Sequence, residues 1–438
     1  MTPEAIVIGG GFAGLSAATA LAERDVRVLV LEARPSLGGR ASAFVDPATN
    51  ERVDNGQHIL TGAYRETFRF LRRIGTEAHV YLQPGLAVDI VDRDGRASRL
   101  ACPAIPAPFH LLAGALRWSA IGWRDRLALS RMRNGGRRGG DRRATVRQWL
   151  ESQGQTPRLI ELLWEPFAVA ALNQSIDEAA GEMFGAVLRR TFTAERKDSS
   201  LGLARRSLDE LYTLPAVACI ERGGGEVRTG SRASVRVDAG APSVRVRSEA
   251  FRPRAVVCAT AWFSLSALFE ERPPALAATI EAAEATAALP IVTVNLWFDR
   301  LVTSSTFVGL PGRAMQWVFD KHALFGESAS HLSLVSSGAV ALVNRGNQEI
   351  VDLALAELQA ALPAVRSATL RRAVVVREKR ATFSVSPDQP ARPSTRTAVP
   401  GLFLAGDWID TGLPATIEGA VVSGHAAADA ALDFLQEG

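Results

Sequence analysis

The feature that most constrains this chain is an apolar run that ends in glycines. Ala5-Ile6-Val7-Ile8 leads directly into Gly9-Gly10-Gly11-Phe12-Ala13-Gly14, and a second apolar run, Val26 to Leu31, ends in Glu32. The pattern predicts a strand, a tight turn, a helix of small residues through Leu15 to Ala22, and a second strand. Gly9 permits the turn, Gly11 lets a backbone approach a pyrophosphate, and Gly14 lets the helix lie close to the strand. The first N–H groups of the helix, from Phe12 and Ala13, then face the phosphates. Glu32 lies eighteen residues beyond Gly14, near the spacing of about 20 for a carboxylate that accepts hydrogen bonds from a ribose. The same charge would repel a 2′-phosphate, which argues against NADP.

The residues just beyond Glu32 bear on which dinucleotide is held. Ala33-Arg34 leads into Leu37-Gly38-Gly39-Arg40-Ala41, which resembles the second fingerprint of the flavin-dependent amine oxidase and phytoene desaturase superfamily. The resemblance implies FAD, with Ala33, Arg34, Gly39 and Arg40 along the cofactor. Paired glycines can lie against a ligand, and a guanidinium can fork onto a phosphate. Near the other end, Gly401-Leu402-Phe403-Leu404-Ala405-Gly406-Asp407-Trp408 and the segment Leu413 to Gly424 resemble the strand, loop and helix that pass under the flavin in that superfamily. Gly406, Asp407, Thr416, Ile417, Glu418, Gly419 and Ala420 are the contacts this implies, and a helix N-terminus there favours negative charge on a reduced flavin. Gly56, Gln57 and His58 are further candidates. Val235 matches, by the same resemblance, a strand valine that contacts adenine through its backbone.

Cofactor motifs at both ends predict an α/β architecture in two discontinuous parts. A Rossmann-like FAD-binding domain is expected from residues 1–85, 215–285 and 385–438. A second, mixed α+β substrate domain is expected from 86–214, mostly helical, and 286–384, which opens on the apolar strand Ile291 to Phe298. The glycine run at 223–225 is not a second dinucleotide site, because Arg228 stands where the third glycine is needed. Reducing equivalents are therefore expected from an external electron donor. Trp164, Phe167, Trp297, Phe298, Phe307, Trp317 and Phe319 are candidates to line a long apolar tunnel.

With 438 residues and 47% hydrophobic content the chain can bury a large core and form two lobes. The net charge of +4 comes almost wholly from arginine, since lysine occurs only at 197, 321 and 379. The most basic stretch, Arg131 to Arg147, has no aromatic residue, which reads as a mobile basic loop that suits anionic headgroups and not nucleic acid. Cys102, Cys219 and Cys258 form no CxxC pair, so neither a metal site nor a disulfide framework is expected. No cysteine follows Cys258, so the C-terminal region has no thiol to link to the flavin, and FAD is expected to be non-covalent. A strand that begins by residue 5 leaves no room for a signal peptide, and a cytoplasmic location is expected. No run of 18 uncharged apolar residues suggests a spanning helix. Ala101 to Arg126 is nevertheless apolar, with Phe109, Trp118 and Trp123 beside Arg117, Arg124 and Arg126. Such a segment suits either an in-plane helix at a membrane surface, on the inner face of the cytoplasmic membrane, or a core helix of the second domain.

Three further blocks bring the resemblance closer: Val53-Asp54-Asn55-Gly56-Gln57-His58-Ile59-Leu60-Thr61-Gly62-Ala63-Tyr64, then Leu163-Trp164-Glu165-Pro166-Phe167 with Ala170-Ala171-Leu172-Asn173, then Ala405 to Ile409 with Thr411 to Ala420. Together they resemble the hydroxysqualene dehydroxylase family of bacterial squalene and hopanoid biosynthesis, over nearly the whole chain. Gln174 departs from the small or hydroxyl residue the family carries there. The resemblance implies reductive dehydroxylation: hydroxysqualene, an apolar isoprenoid, with reduced FAD gives squalene, water and oxidised FAD. The chemistry has its own demands. An allylic hydroxyl leaves as water only once protonated, and the resulting cation needs a nearby hydride and walls that exclude water. His58 and Glu165 are the candidate proton donors, and Asn173 is the candidate to hold the leaving hydroxyl. A carotenoid-type desaturase or isomerase, an amine oxidase and a non-enzymatic lipid carrier are the rival readings.

Overall fold

A computed structural model describes residues 3–132, 143–192, 195–238, 240–327 and 330–437. Its first sheet is parallel and five-stranded, in the spatial order Glu226–Arg228, Val28–Leu31, Ala5–Ile8, Ala255–Cys258, Leu402–Leu404. Ala5 pairs with Val28 on one side and Ala255 on the other, and Val256 pairs with Leu402. The three inner strands and Leu402–Leu404 are wholly buried, as a parallel sheet covered on both faces requires.

The helix Phe12–Ala22 lies against this sheet, and the 21-residue helix Ile417–Glu437 crosses it. Small residues set how closely they approach. A Cβ on Gly14 would stand 1.8 Å from the Gly9 carbonyl oxygen, and one on Gly424 would stand 2.3 Å from that of Ala13. Gly9 itself holds φ at +115°, a conformation that strongly favours glycine. The predicted strand, turn, helix and strand are therefore present.

The second large sheet has seven strands, in the order Leu370–Phe383, Ala288–Phe298, Ser330–Ser337, Trp317–Asp320, Phe307–Gly309, Ala87–Val91, Ala97–Ala101. All its pairings are antiparallel except that of Phe307–Gly309 with Ala87–Val91. The helix Asn347–Ala361 covers one face and buries Ile350, Ala354 and Leu358 there. A three-stranded antiparallel sheet, Ala233–Asp238, Ala241–Val246 and Glu249–Phe251, and two smaller sheets complete the strands.

Residues 157–172 form one unbroken helical run in which Ile160–Trp164 is a π-turn. The wide turn comes just before Pro166, whose missing N–H would interrupt an α-helical ladder in any case. The segment Ala101 to Arg126 is not a single helix. It comprises the end of a strand, a proline-rich loop, the helix Phe109–Arg117 and the start of the helix Trp123–Ser130. Trp118, expected with the interfacial aromatics, is buried and donates its indole N–H to Ser98 Oγ at 3.1 Å. Residues 133–142 of the basic stretch lie outside the described residues. Among the described residues no helix is long and apolar enough to cross a membrane.

Candidate functional site

The carboxyl ends of the parallel strands open into a cavity of about 570 Å³ whose far wall is the seven-stranded sheet. Crevices at this edge are where open α/β sheets bind ligands. One half is lined by Gly9 to Ala13, Glu32 to Arg34, Gly38 to Ala41, Gly406 and Asp407. The other half is lined by Asn55 to Ile59, Ala170, Ala171, Asn173, Ile291, Val335 and Thr382. Thr416, Ile417 and Ala420 join them from the start of the C-terminal helix.

The local chemistry of the first half fits a dinucleotide. Gly11 caps the first helix with no side-chain hydrogen bond, so the first-turn N–H groups at Phe12 and Ala13 face the cavity without a side-chain acceptor. A Cβ on Gly11 would meet nothing nearer than 3.8 Å, so the cradle is open at that point. The Glu32 carboxylate is held rigidly, one oxygen accepting from Gly10 N–H at 2.8 Å and the other from Arg34 N–H at 2.8 Å. Tyr212 braces the second glycine loop: its hydroxyl lies 2.9 Å from the Gly38 carbonyl oxygen and 2.6 Å from that of Ala41, and its ring stacks on Phe12 at 3.7 Å. At the other end Thr416 Oγ1 accepts from Gly419 N–H at 3.0 Å and closes the first turn of the C-terminal helix.

Several expected residues sit elsewhere or do other work. Arg40 lines the cavity, but its guanidinium forks onto Asp407 at 2.8 and 2.5 Å and lies over the Trp262 ring. Glu418 is turned away from the cavity and fully buried, accepting from the N–H groups of Glu66 and Thr67, from Thr67 Oγ1 and from Arg190. Gly14 and Gly419 shape their helices without lining the cavity. Val235 does not line it: its carbonyl accepts Glu270 N–H at 3.0 Å, and Ala233, with Ser231 and Arg232, takes the cavity edge two residues earlier in the strand. None of the seven aromatic residues expected to line a tunnel is on the cavity wall; Trp297, for example, stacks on His331 and donates to Glu51. The aromatic rings on the wall are Phe12, Tyr64 and Phe263.

The three expected catalytic residues separate in the same way. His58 lines the cavity, and its Nδ1 is buried with no hydrogen-bond partner. Burial lowers its pKa, Asp54 and the Gly56 backbone oppose that, and Lys321 adds to it, so the ring is neutral at neutral pH. Glu165 does not line the cavity. Burial raises its pKa, but its charged neighbours are Arg147, Asp177, Arg93 and Glu161 on the far side of its helix from the cavity-lining Ala170 and Ala171. A helix turns about 100° per residue, so consecutive motif residues cannot all face one wall. Asn173 lines the cavity in a left-handed conformation at φ +51°, but its amide is committed: Nδ2 donates to Thr382 Oγ1 at 2.9 Å and Oδ1 accepts Gly338 N–H at 2.6 Å. The divergent Gln174 ties the same loop down, accepting Val385 N–H at 2.9 Å and donating to Ser386 at 2.7 Å.

Two features escaped sequence reasoning. Glu378 lines the cavity from the strand Leu370–Phe383. Behind the wall, Lys321 is 1% exposed, and its Nζ stands 3.2 Å from Asp54 Oδ2, 2.8 Å from Gln57 Oε1 and 3.5 Å above the Phe325 ring. Burial lowers the Lys321 pKa, and Asp54 opposes it. Glu51, Glu327 and His331 bring ligand-type atoms within 4.8 Å of one another. Both ring nitrogens of His331 are already hydrogen-bonded, to Glu327 and Asn295. No cysteine lines the cavity.

The fold and this cradle are those of a dinucleotide-dependent flavoprotein. Residues 12–432 match the model of the flavin-containing amine oxidoreductases. The chain belongs to that family and is an FAD-dependent oxidoreductase. It is 31% identical to the hydroxysqualene dehydroxylase of Sinorhizobium fredii over 97% of both chains, and 31% identical to that of Rhodopseudomonas palustris over 99% of both. It is 26% identical to the 15-cis-phytoene desaturase of an Oncidium hybrid, over 98% of this chain and 77% of that one. Among solved structures, an oxidoreductase from Methanosarcina mazei shares the fold with a TM-score of 0.75 at 16% identity, over 97% of this chain and 99% of that one.

Proposed function

We propose that this protein carries out the reductive dehydroxylation of hydroxysqualene to squalene. The observation that carries the proposal is the 31% identity to hydroxysqualene dehydroxylases over nearly the full length, with a cavity lined by His58 and by the small or apolar Ile59, Ala170, Ala171, Ile291 and Val335. When bound, reduced FAD supplies the hydride. The N–H groups at Gly11 to Ala13 would hold its pyrophosphate, Glu32 a ribose, Ala233 the adenine end, and the Thr416-capped helix the flavin end. The parts of the chain that do this draw on the five-stranded sheet, whose strands fall within 5–31, 226–258 and 402–404, whereas the seven-stranded sheet takes its strands from 87–101 and 288–383. That distribution supports the two-part division. The glycine run at 223–225 joins the helix Leu214–Arg222 to the edge strand Glu226–Arg228, which supports an external electron donor.

The chain's own work is to bind the isoprenoid against apolar walls, exclude water and move one proton. His58 delivers that proton to the departing hydroxyl. Its pKa is lowered by burial below the ordinary 6.5, so the donating form accumulates only on the acid side. Single-turnover rates should therefore rise as pH falls below 6.5 and level off beneath the lowered pKa. His58→Ala should lower the rate by about 10²-fold and abolish that limb, while Glu165→Gln stays close to the parent rate. A His58 variant with an unchanged pH profile removes the assignment.

The decisive experiment is anaerobic. Reduced holoenzyme is mixed with hydroxysqualene, and return of the oxidised flavin spectrum is followed together with extraction of squalene. Matching amounts support dehydroxylation. If hydroxysqualene has no effect and a polyene instead reduces the oxidised enzyme, the protein runs in the desaturase direction of its phytoene desaturase relatives.

A further inference from the structure

The described residues include twelve exposed large hydrophobic side chains, and six of them, Ile105, Phe109, Leu112, Leu116, Trp123 and Leu127, fall within one 23-residue stretch. Such clustering marks an interaction surface, whereas single exposed apolar residues need no explanation. The helix Phe109–Arg117 has a packed face and an uncovered apolar face. His110, Gly114 and Ala115 pack inward, whereas Phe109, Leu112 and Leu116, at spacings of three and four, form an outward stripe. Trp123 and Leu127 repeat the arrangement on the next helix, at 68% and 49% exposure.

The exposed charges within the segment itself are of one sign. Arg117, Arg124 and Arg131 are exposed at the helix ends, and Arg124 lies over the Trp123 ring. Asp125 is the sole acid between Asp94 and Asp141, and its carboxylate is turned inward to Gly122 N–H and Thr156 Oγ1. An apolar stripe bearing an aromatic and collared by arginines, with no exposed acid between residues 105 and 131, is complementary to the headgroup boundary of an anionic bilayer.

We propose that these two helices dock the protein on the surface of an anionic lipid bilayer, with Phe109, Leu112, Leu116, Trp123 and Leu127 entering the interface. The docking face is joined to the cavity by the helical run 157–172. At one end Asp125 accepts from Thr156 Oγ1 at 2.6 Å, and the Ala128 carbonyl accepts from Gln155, which in turn holds Trp164 at 2.9 Å. At the other end Ala170, Ala171 and Asn173 line the cavity. Sixteen residues span about 24 Å, so the cavity wall lies within about one helix length of the docking helices along that run. The proposal rests on the surface and not on the reaction, so docking and dehydroxylation fail separately.

The test is co-sedimentation of the full-length, FAD-loaded protein with phosphatidylcholine vesicles, with and without phosphatidylglycerol. The parent should bind the anionic vesicles, and less so at high salt. Phe109→Ser combined with Leu116→Ser, or Trp123→Ser alone, should weaken binding about tenfold or more, whereas Leu301→Ser and Val340→Ser should not. Flavin absorbance and thermal midpoint confirm that each variant is folded. Absence of binding by the parent, or equal binding by the patch variants, overturns the proposal. So does conversion of a dimeric parent into a monomer by the patch variants with no change in vesicle binding, which would make the face an interface between two copies.

Discussion

Lys321 shows what a single buried charge contributes behind a site. Its Nζ is shared between Asp54 and Gln57, and Gln57 and His58 are adjacent on the cavity wall. The other oxygen of Asp54 accepts Leu208 N–H at 2.9 Å, so the carboxylate is fully engaged. Removing one partner of a buried pair leaves the other charged and desolvated. Lys321→Met is expected to cost about 3–5 kcal/mol in denaturant unfolding of the FAD-loaded protein, and adding Asp54→Asn should recover part of it. A loss below about 1 kcal/mol would place the pair in solvent. Nothing in the sequence marks this contact, because the partners are 267 residues apart and neither belongs to a motif that names the other.

At the scale of elements, the site depends on how closely two helices cross. Ala13 is both a cavity residue and the residue whose carbonyl oxygen stands 2.3 Å from the place a Cβ would take on Gly424. Gly424→Val should therefore push the first helix off the C-terminal one. It should destabilise by about 3 kcal/mol, the upper end for overpacking, and lower the flavin-to-protein absorbance ratio. An unchanged ratio would separate the crossing from cofactor retention. The first strand, turn and helix were legible because their geometry is encoded within ten residues, from Ala5 to Gly14. The hairpin Ala87–Ala101 was not, in a stretch expected to be mostly helical. Its second strand, Ala-Ser-Arg-Leu-Ala, is mostly exposed and lacks a clean apolar alternation. It is held as a strand by pairing to Ala87–Val91, which joins Phe307–Gly309.

For the whole molecule, the cofactor site is also a fastening between the chain's two ends. Arg40 and Asp407 meet across 367 residues, and the strand Leu402–Leu404 completes the parallel sheet that begins at Ala5. A ligand that binds only this assembled form stabilises all of it. Adding FAD to apoprotein at about 100 times its dissociation constant should raise stability by about 2.7 kcal/mol, read as a rise in thermal midpoint. Asp407→Asn should shift that rise to higher FAD concentrations. A midpoint indifferent to FAD would mean that the assembled form does not bind FAD in preference to the unfolded chain.

The sequence by itself determined the dinucleotide cradle, the kind of cofactor and the family, because each is written in short motifs whose glycines and acid act on their immediate neighbours. Only the tertiary structure decided which side chains face the cavity. It placed Glu378 on the wall and Glu165 off it, engaged Asn173 in its own loop, put Ala233 rather than Val235 at the cavity edge, and left the outer faces of the two helices around Trp123 uncovered. Orientation toward a shared cavity depends on the packing of segments hundreds of residues apart, and no local pattern carries that information.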